Sequence, residues 1–194
     1  MKLLRKLYDW TLEKSKHSKA PWFLAIISFA ESSFFPIPPD IILIPMVVAR
    51  QAKAWFFAFI CTFSSVFGGI AGYMIGYFFY NSLGFLIVEY YSLESQFANF
   101  NSYYNQYGLW IVLGAGFTPF PFKIITIASG LFELNIFLFT AVTLLGRGMR
   151  FFLIAGLIKM FGNFITKFID KYFNILAMLF FILLIGSLIL VKFL

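Results

Sequence analysis

For its 194 residues this chain has one cysteine, one histidine and only 12% charged side chains. Each shortage removes a class of protein. A soluble domain carries about 25% charged residues, so half that load argues against a surface built for water. A single Cys61 cannot form an intrachain disulfide framework, and in its apolar run it reads as a small buried thiol. A single His17 cannot assemble a zinc site. There is no HExxH pair, phosphate-cradling glycine loop or GxSxG elbow. No enzymatic activity, metal or cofactor is therefore expected.

What the chain has in excess is apolar surface. Hydrophobic residues make up 61%, aromatic residues 22%, and 29 are Phe, with a mean hydropathy of +0.89. The net charge of +7 would suit nucleic acid, but the basic residues flank apolar segments, as they do where they set the orientation of a membrane protein. No nucleic-acid partner is expected. Residues 1–19 carry Lys2, Arg5, Lys6, Lys14, Lys16 and Lys19 against Asp9 and Glu13. Leu3, Leu4, Leu7, Tyr8 and Thr11 can share a helix face, so this segment is either a cytosolic tail or an interfacial helix. Charges continue too far for a cleaved signal peptide, and no small-residue cleavage site follows.

A hydrocarbon core of about 30 Å needs about 20 apolar helical residues. Residues 54–80 meet that need, as does the uncharged C-terminal stretch within 173–194. Residues 135–160 are also apolar but contain Arg147 and Arg150. Two regions do not fit. In 20–50, the apolar runs on either side of "PIPPD" hold eleven and nine residues; in 108–134, "TPFPFK" divides another pair of short runs. Proline lacks a backbone donor and pushes the preceding residue out of the helical region. Pro36, Pro38, Pro119 and Pro121 are thus expected at the tips of two re-entrant hairpins, the alternative being single kinked helices.

Pro36, Pro38 and Asp40 each lie 83 residues before Pro119, Pro121 and Lys123. The expected fold is all-α and polytopic: two re-entrant helical hairpins in an inverted repeat, plus transmembrane helices. The segment between them, 81–107, has Glu89 and Glu94 but no Lys or Arg, and is expected outside. Residues 20–172 would form the core. With a cytoplasmic N-terminus, Arg50, Lys53, Lys159, Lys167 and Lys171 all fall inside. Interrupted apolar segments at matching places in two inverted halves point to a transport site near the midplane. Within 68–76, Gly72 and Gly76 form a GxxxG close-packing face rather than a ligand loop.

Five charged residues fall in apolar surroundings: Glu31, Asp40, Lys123, Arg147 and Arg150. Each would cost about 2.5–3.5 kcal/mol facing lipid at mid-bilayer, so a shared interior is expected. Arg147 and Arg150, at i and i+3, share a helix face, and with Lys123 they make a plausible anion site, since guanidinium holds phosphate oxygens bidentately. Glu31 and Asp40 would compensate that charge in the empty site and exchange protons as an anion comes and goes. The plainer reading is an inert cluster of ion pairs that ties the hairpins together. Opposite signs at corresponding tips suggest one pair in particular, Asp40 with Lys123.

The runs "SFAESSFFPIPPDIIL", "FGGIAGYMIGYFF", "YGLWIVLGAGFTPFPFKIITIASG" and "GRGMRF" together resemble the DedA family, also called VTT-domain or SNARE-associated Golgi-type membrane proteins, and most of all its YqaA-type branch. The resemblance covers roughly residues 22–160. It implies re-entrant hairpins and the movement of lipids between leaflets of a bacterial cytoplasmic membrane. Undecaprenyl phosphate or a phospholipid would be the cargo, with some members tied to proton or sodium gradients. Glu31 and Asp40 match the family's embedded acids, Lys123 stands for the second arginine of its other hairpin, and Arg147 and Arg150 match the branch's basic pair. The first arginine of that hairpin motif is missing, with Gly116 near its place. The expected partners are therefore membrane lipids with a phosphate-bearing headgroup, and a homo-oligomer stays open. A small-solute or cation antiporter and a non-transporting structural protein are the rival readings.

Overall fold

The computed structural model describes residues 19–35, 37–90, 94–118 and 120–162. The N-terminal segment before Lys19, the C-terminal helix expected at 173–194, and tip residues Pro36 and Pro119 lie outside the described residues.

Among the described residues every regular element is helical: α1 Ala20–Ser33, α2 Asp40–Ala49, α3 Ala54–Phe79, α4 Phe85–Tyr90, α5 Glu94–Phe117 and α6 Phe122–Leu131. A final helix, α7, runs Ile136–Gly162. A 3-10 turn (Gln51–Lys53) joins α2 to α3, and a π turn (Tyr80–Gly84) follows α3. The local chemistry fits these limits. Pro21 sits in the first turn of α1, where its missing donor costs nothing. The Asn135 side chain accepts hydrogen bonds from the amides of Phe137 and Leu138 at 3.0 and 3.2 Å, capping α7. Just before it Glu133 takes φ 52°, the left-handed conformation that ends α6 and reverses the chain.

Length separates two kinds of helix. α3 with its leading turn and α7 are long and apolar enough to cross a membrane. α1 (14 residues) and α2 and α6 (10 each) rise only about 21 and 15 Å at 1.5 Å per residue. They are too short to cross a core about 30 Å thick. α5 has 24 residues and runs unbroken through position 107, so the expected start of the second hairpin falls inside a helix.

The long helices form the frame. α7 lies antiparallel to α3 from end to end: Phe139 against Tyr73 (rings 5.4 Å apart), Gly148 against Thr62, Gly156 against Trp55, Gly162 against Gln51. α1 runs parallel to the first half of α3, its Ser28, Ser32 and Ser33 bonded in order to Cys61, Ser65 and Gly68. α6 runs parallel to the second half, with Thr126 against Gly72 and Gly130 against Tyr73. α5 passes antiparallel to α6, through Tyr104 to Ser129 at 2.9 Å, and parallel to α7, through Gly116 and Gly146. The last turn of α1 therefore meets the first turns of α6 partway along α3, where Thr126 donates to the Ser32 carbonyl at 2.9 Å. The helices that approach this junction come from opposite ends of the molecule.

Backbones meet closely here because glycine permits it. A Cβ on Gly68 would fall on the Phe29 carbonyl, one on Gly76 on that of Ile127, and one on Gly130 on that of Tyr73. Gly72 and Gly76 do form a packing face, as their spacing suggests, and its partner is α6. Gly114 has open space around it. Alanine favours a helix over glycine by about 1 kcal/mol, whereas forcing atoms into a full interior costs about 1–3 kcal/mol. Gly68→Ala and Gly130→Ala should lower the thermal midpoint in detergent, and Gly114→Ala should leave it unchanged or raise it. Equal effects at all three positions would contradict this packing.

Candidate functional site

At the level where α1 gives way to α6 the interior turns polar. Ser32, Ser33, Glu31, Thr62, Ser65, Thr126, Thr143 and Arg147 are all buried there. Ser65 lies about 17 Å along α3 from its start and about 21 Å from its end, at 1.5 Å per residue. The polar belt is thus near mid-depth of the frame.

Arg147 is its centre, 2% exposed. Its guanidinium pairs with the Glu31 carboxylate and donates to Ser32 Oγ at 3.0 Å. The rings of Phe122 and Phe151 lie 4.3 and 5.5 Å from the guanidinium carbon, so cation–π attraction replaces part of the lost water. Ser32 Oγ and Ser65 Oγ share a 2.6 Å hydrogen bond. Arg147 thus touches the last turn of α1, the start of α6 through Phe122, and α3 through the serine pair.

One turn along α7, Arg150 pairs with Asp40 at the start of α2 and donates to the Thr118 carbonyl at the end of α5. Arg147 ties α1 to α7 and Arg150 ties α2 to α7, and each also reaches beyond them, Arg147 to Phe122 of α6 and Arg150 to the Thr118 carbonyl after α5. The i, i+3 spacing puts both guanidiniums on one face of α7. Gly146, packed against the Leu113 carbonyl and Gly116, brings α5 close beside them.

Of the five charged residues named from the sequence, four are brought together as two ion pairs. The fifth corrects an expectation: Asp40 pairs with Arg150 rather than Lys123. The two tip charges sit on arms that diverge, α2 running back along α7 and α6 running on along α3. Lys123 is half-buried in the first turn of α6 and has no ion-pair partner among the described residues. Pro38 and Pro121 lie at the two tips, beside Asp40 and Phe122 respectively.

Sequence reasoning passed over the hydroxyls and the carbonyl. Ser28 and Ser32, and Thr62 and Ser65, recur at helical spacing inside apolar runs, and that recurrence is the signal that could have found them. Thr118 acts through its backbone carbonyl, which no residue type announces.

Both arginines keep donors in reserve. Arg147 Nε, Arg150 Nε, Asp40 Oδ1 and Thr143 Oγ1 are buried without hydrogen-bond partners among the described residues. An unmet buried polar group costs about 1–3 kcal/mol. A group with two oxygens to offer could therefore gain more from either guanidinium than the carboxylate now does. No group of three or more potential metal ligands occurs among the described residues.

Removing one member of a buried pair strands the other, at about 3–5 kcal/mol. Glu31→Gln and Arg147→Gln should each lower thermal stability in detergent strongly, and the double variant should cost clearly less than their sum. Additive losses would mean that the pair is not a unit.

The profile of the VTT domain matches residues 37–160 of this chain. An uncharacterized protein of Haemophilus influenzae is 36% identical over 177 residues, covering 91% of this chain and 92% of its own length. A homologue in Histophilus somni, also described as uncharacterized, is 33% identical over 163 residues, 84% of this chain and 85% of its own. No solved structure matches.

Proposed function

The chain belongs to the VTT-domain family of membrane proteins, which is linked to membrane transport, and from that premise we propose that it moves a phosphate-bearing lipid headgroup between leaflets. Undecaprenyl phosphate and phospholipids are the candidate cargoes. We place it in the YqaA-type branch and in a bacterial cytoplasmic membrane, with the N-terminus cytoplasmic.

One observation carries the reading: two arginines with unused donors are held at mid-depth by carboxylates on the first hairpin. Unmet guanidinium donors beside an unmet carboxylate oxygen are what a site that exchanges ligands needs. A phosphate presents more oxygens than one carboxylate and can take a guanidinium bidentately. On its arrival at Arg150, Asp40 would be released and take up a proton, as a carboxyl without a cation in a low-dielectric site does. Glu31 would do the same at Arg147. Lys123, uncommitted at the other tip, would supply the third positive charge. The lipid's tails stay in the bilayer while its headgroup passes between the tips.

The architecture supports re-entrant hairpins in an inverted repeat. The first arm of each hairpin runs parallel to the long helix that follows it, and the two long helices are antiparallel. Charge agrees with the orientation. Lys19, Arg50, Lys53 and Lys159 gather at one end, where α1 and α3 begin and α7 closes. Glu89 and Glu133 are exposed toward the other end.

Lys123 separates the transporter from an inert clamp, because it supports no ion pair among the described residues. Lys123→Gln should leave the stability within about 0.5 kcal/mol of wild type, as a change away from structural features does. It should also slow headgroup translocation in liposomes at least ten-fold, measured by accessibility of a labelled headgroup. Asp40→Asn should reduce the protons taken up per headgroup moved, leaving the share that Glu31 carries. Undiminished translocation in both variants would overturn the assignment. Proton flux without a transportable lipid would point instead to an antiporter.

A further inference from the structure

A second feature lies away from the ion pairs. α1 and α3, running side by side in register, leave an outward-facing groove of about 340 Å³ between them. Ligand pockets occupy about 300–1,000 Å³, so it is small but sufficient for a slender chain. Its walls are Trp22, Ala25, Phe56, Phe59 and Phe63, with Ser64 the one polar side chain among them. Along α3 it runs from Phe56 to Ser64, about 12 Å at 1.5 Å per residue. That is close to the depth of one leaflet, half of a core about 30 Å thick.

The end of this groove is not neutral. Lys19 precedes the first residue of α1 and Lys53 the first residue of α3, and the parallel register sets them level with each other. Both are exposed. No acidic residue lies at this end among the described residues, while Glu89 and Glu133 lie at the opposite one. An apolar slot of leaflet depth, with two lysines at its polar end, is complementary in shape and charge to an anionic lipid. We propose that the groove holds one acyl chain of an anionic phospholipid, with the headgroup phosphate between Lys19 and Lys53.

The inference needs only that the chain sits in a membrane, and it holds whether or not the central site transports lipid. The bound phospholipid is a resident of the leaflet at the basic end, distinct from any headgroup passing the arginines. Trp22, 73% exposed on the groove wall, is the natural reporter.

The experiment uses the full chain with Trp10, Trp55 and Trp110 replaced by Phe, in nanodiscs of phosphatidylcholine. A minor fraction of brominated lipid is added, as phosphatidylglycerol in one arm and phosphatidylcholine in the other. Brominated phosphatidylglycerol should quench Trp22 well beyond its mole fraction. A lysine near a membrane surface contributes about five-fold in affinity. Lys19→Gln/Lys53→Gln should therefore reduce the preference for the anionic lipid at least five-fold, and Ala25→Phe, which fills the slot, should lower quenching by both lipids. Two results would overturn the proposal: quenching that follows mole fraction whatever the headgroup, or a Trp22 shielded from every brominated lipid. The second would give the groove to the chain's own N-terminal segment or to a second copy. The readout is equilibrium binding, so failure of the transport reading leaves it standing and its own failure leaves that reading untouched.

Discussion

A guanidinium at mid-depth of an apolar bundle is the constraint to which the rest of this molecule answers. Stripping a charged group of water costs several kcal/mol, so Arg147 can lie there only with partners in fixed positions. Its carboxylate and its hydroxyl partner, Ser32, come from α1, with Ser65 of α3 holding Ser32 in turn, and its aromatic faces come from α6 and α7. Placing those groups around one side chain requires α1 to end, and α6 to begin, at its level. A continuous helix could not do that. The break after α1 and the break before α6 are therefore the means by which side chains from both helices converge on one charge.

Convergence of this kind needs backbones close enough for hydroxyls to bond across helices. Gly68, Gly76 and Gly130 provide that closeness, and Ser28, Ser32 and Ser33 use it. Between helices in lipid, small residues and interhelical hydrogen bonds replace the hydrophobic effect as the source of cohesion. The exposed Phe and Trp side chains, among them Phe56, Phe67, Phe78 and Trp110, cover the outer surface. Apolar side chains thus cover the outside as well as filling the two core clusters around Phe57 and Phe139, and the polar belt around Arg147 is an exception set within that apolar interior.

Much of the frame was legible in the sequence. Uninterrupted apolar length marks α3, apolar length broken only by two arginines marks α7, and proline marks where the short helices stop. Charge in apolar surroundings marks Glu31, Asp40, Arg147 and Arg150. Spacing alone also tells that Arg147 and Arg150 share a face. The pairing was less legible. Corresponding positions and opposite signs suggest Asp40 with Lys123, yet contact depends on which way each arm leaves its tip, and Asp40 meets Arg150 instead. A repeat relates residues by symmetry, and symmetry mates need not touch. The continuity of α5 through residue 107 was also hidden, because its polar and aromatic first half lacks the apolar run that announces a buried helix. The hydroxyl network was least visible, since Ser and Thr occur in apolar helices without such a role.

The central claim is that the two arginine–carboxylate pairs hold the hairpin tips closed and that a phosphate headgroup opens them by competing for the arginines. Pulsed electron paramagnetic resonance tests it most directly. Spin labels would be placed at Phe35→Cys, beside the first tip, and Met149→Cys on α7, in a Cys61→Ala background reconstituted in zwitterionic nanodiscs. Both labelled positions are exposed, so neither label enters the core. A single short distance is predicted in the zwitterionic bilayer, with a second, longer population appearing when polyprenyl phosphate or an anionic phospholipid is added. A distribution that stays the same with every phosphate lipid would contradict the account and leave the ion pairs as a permanent clamp.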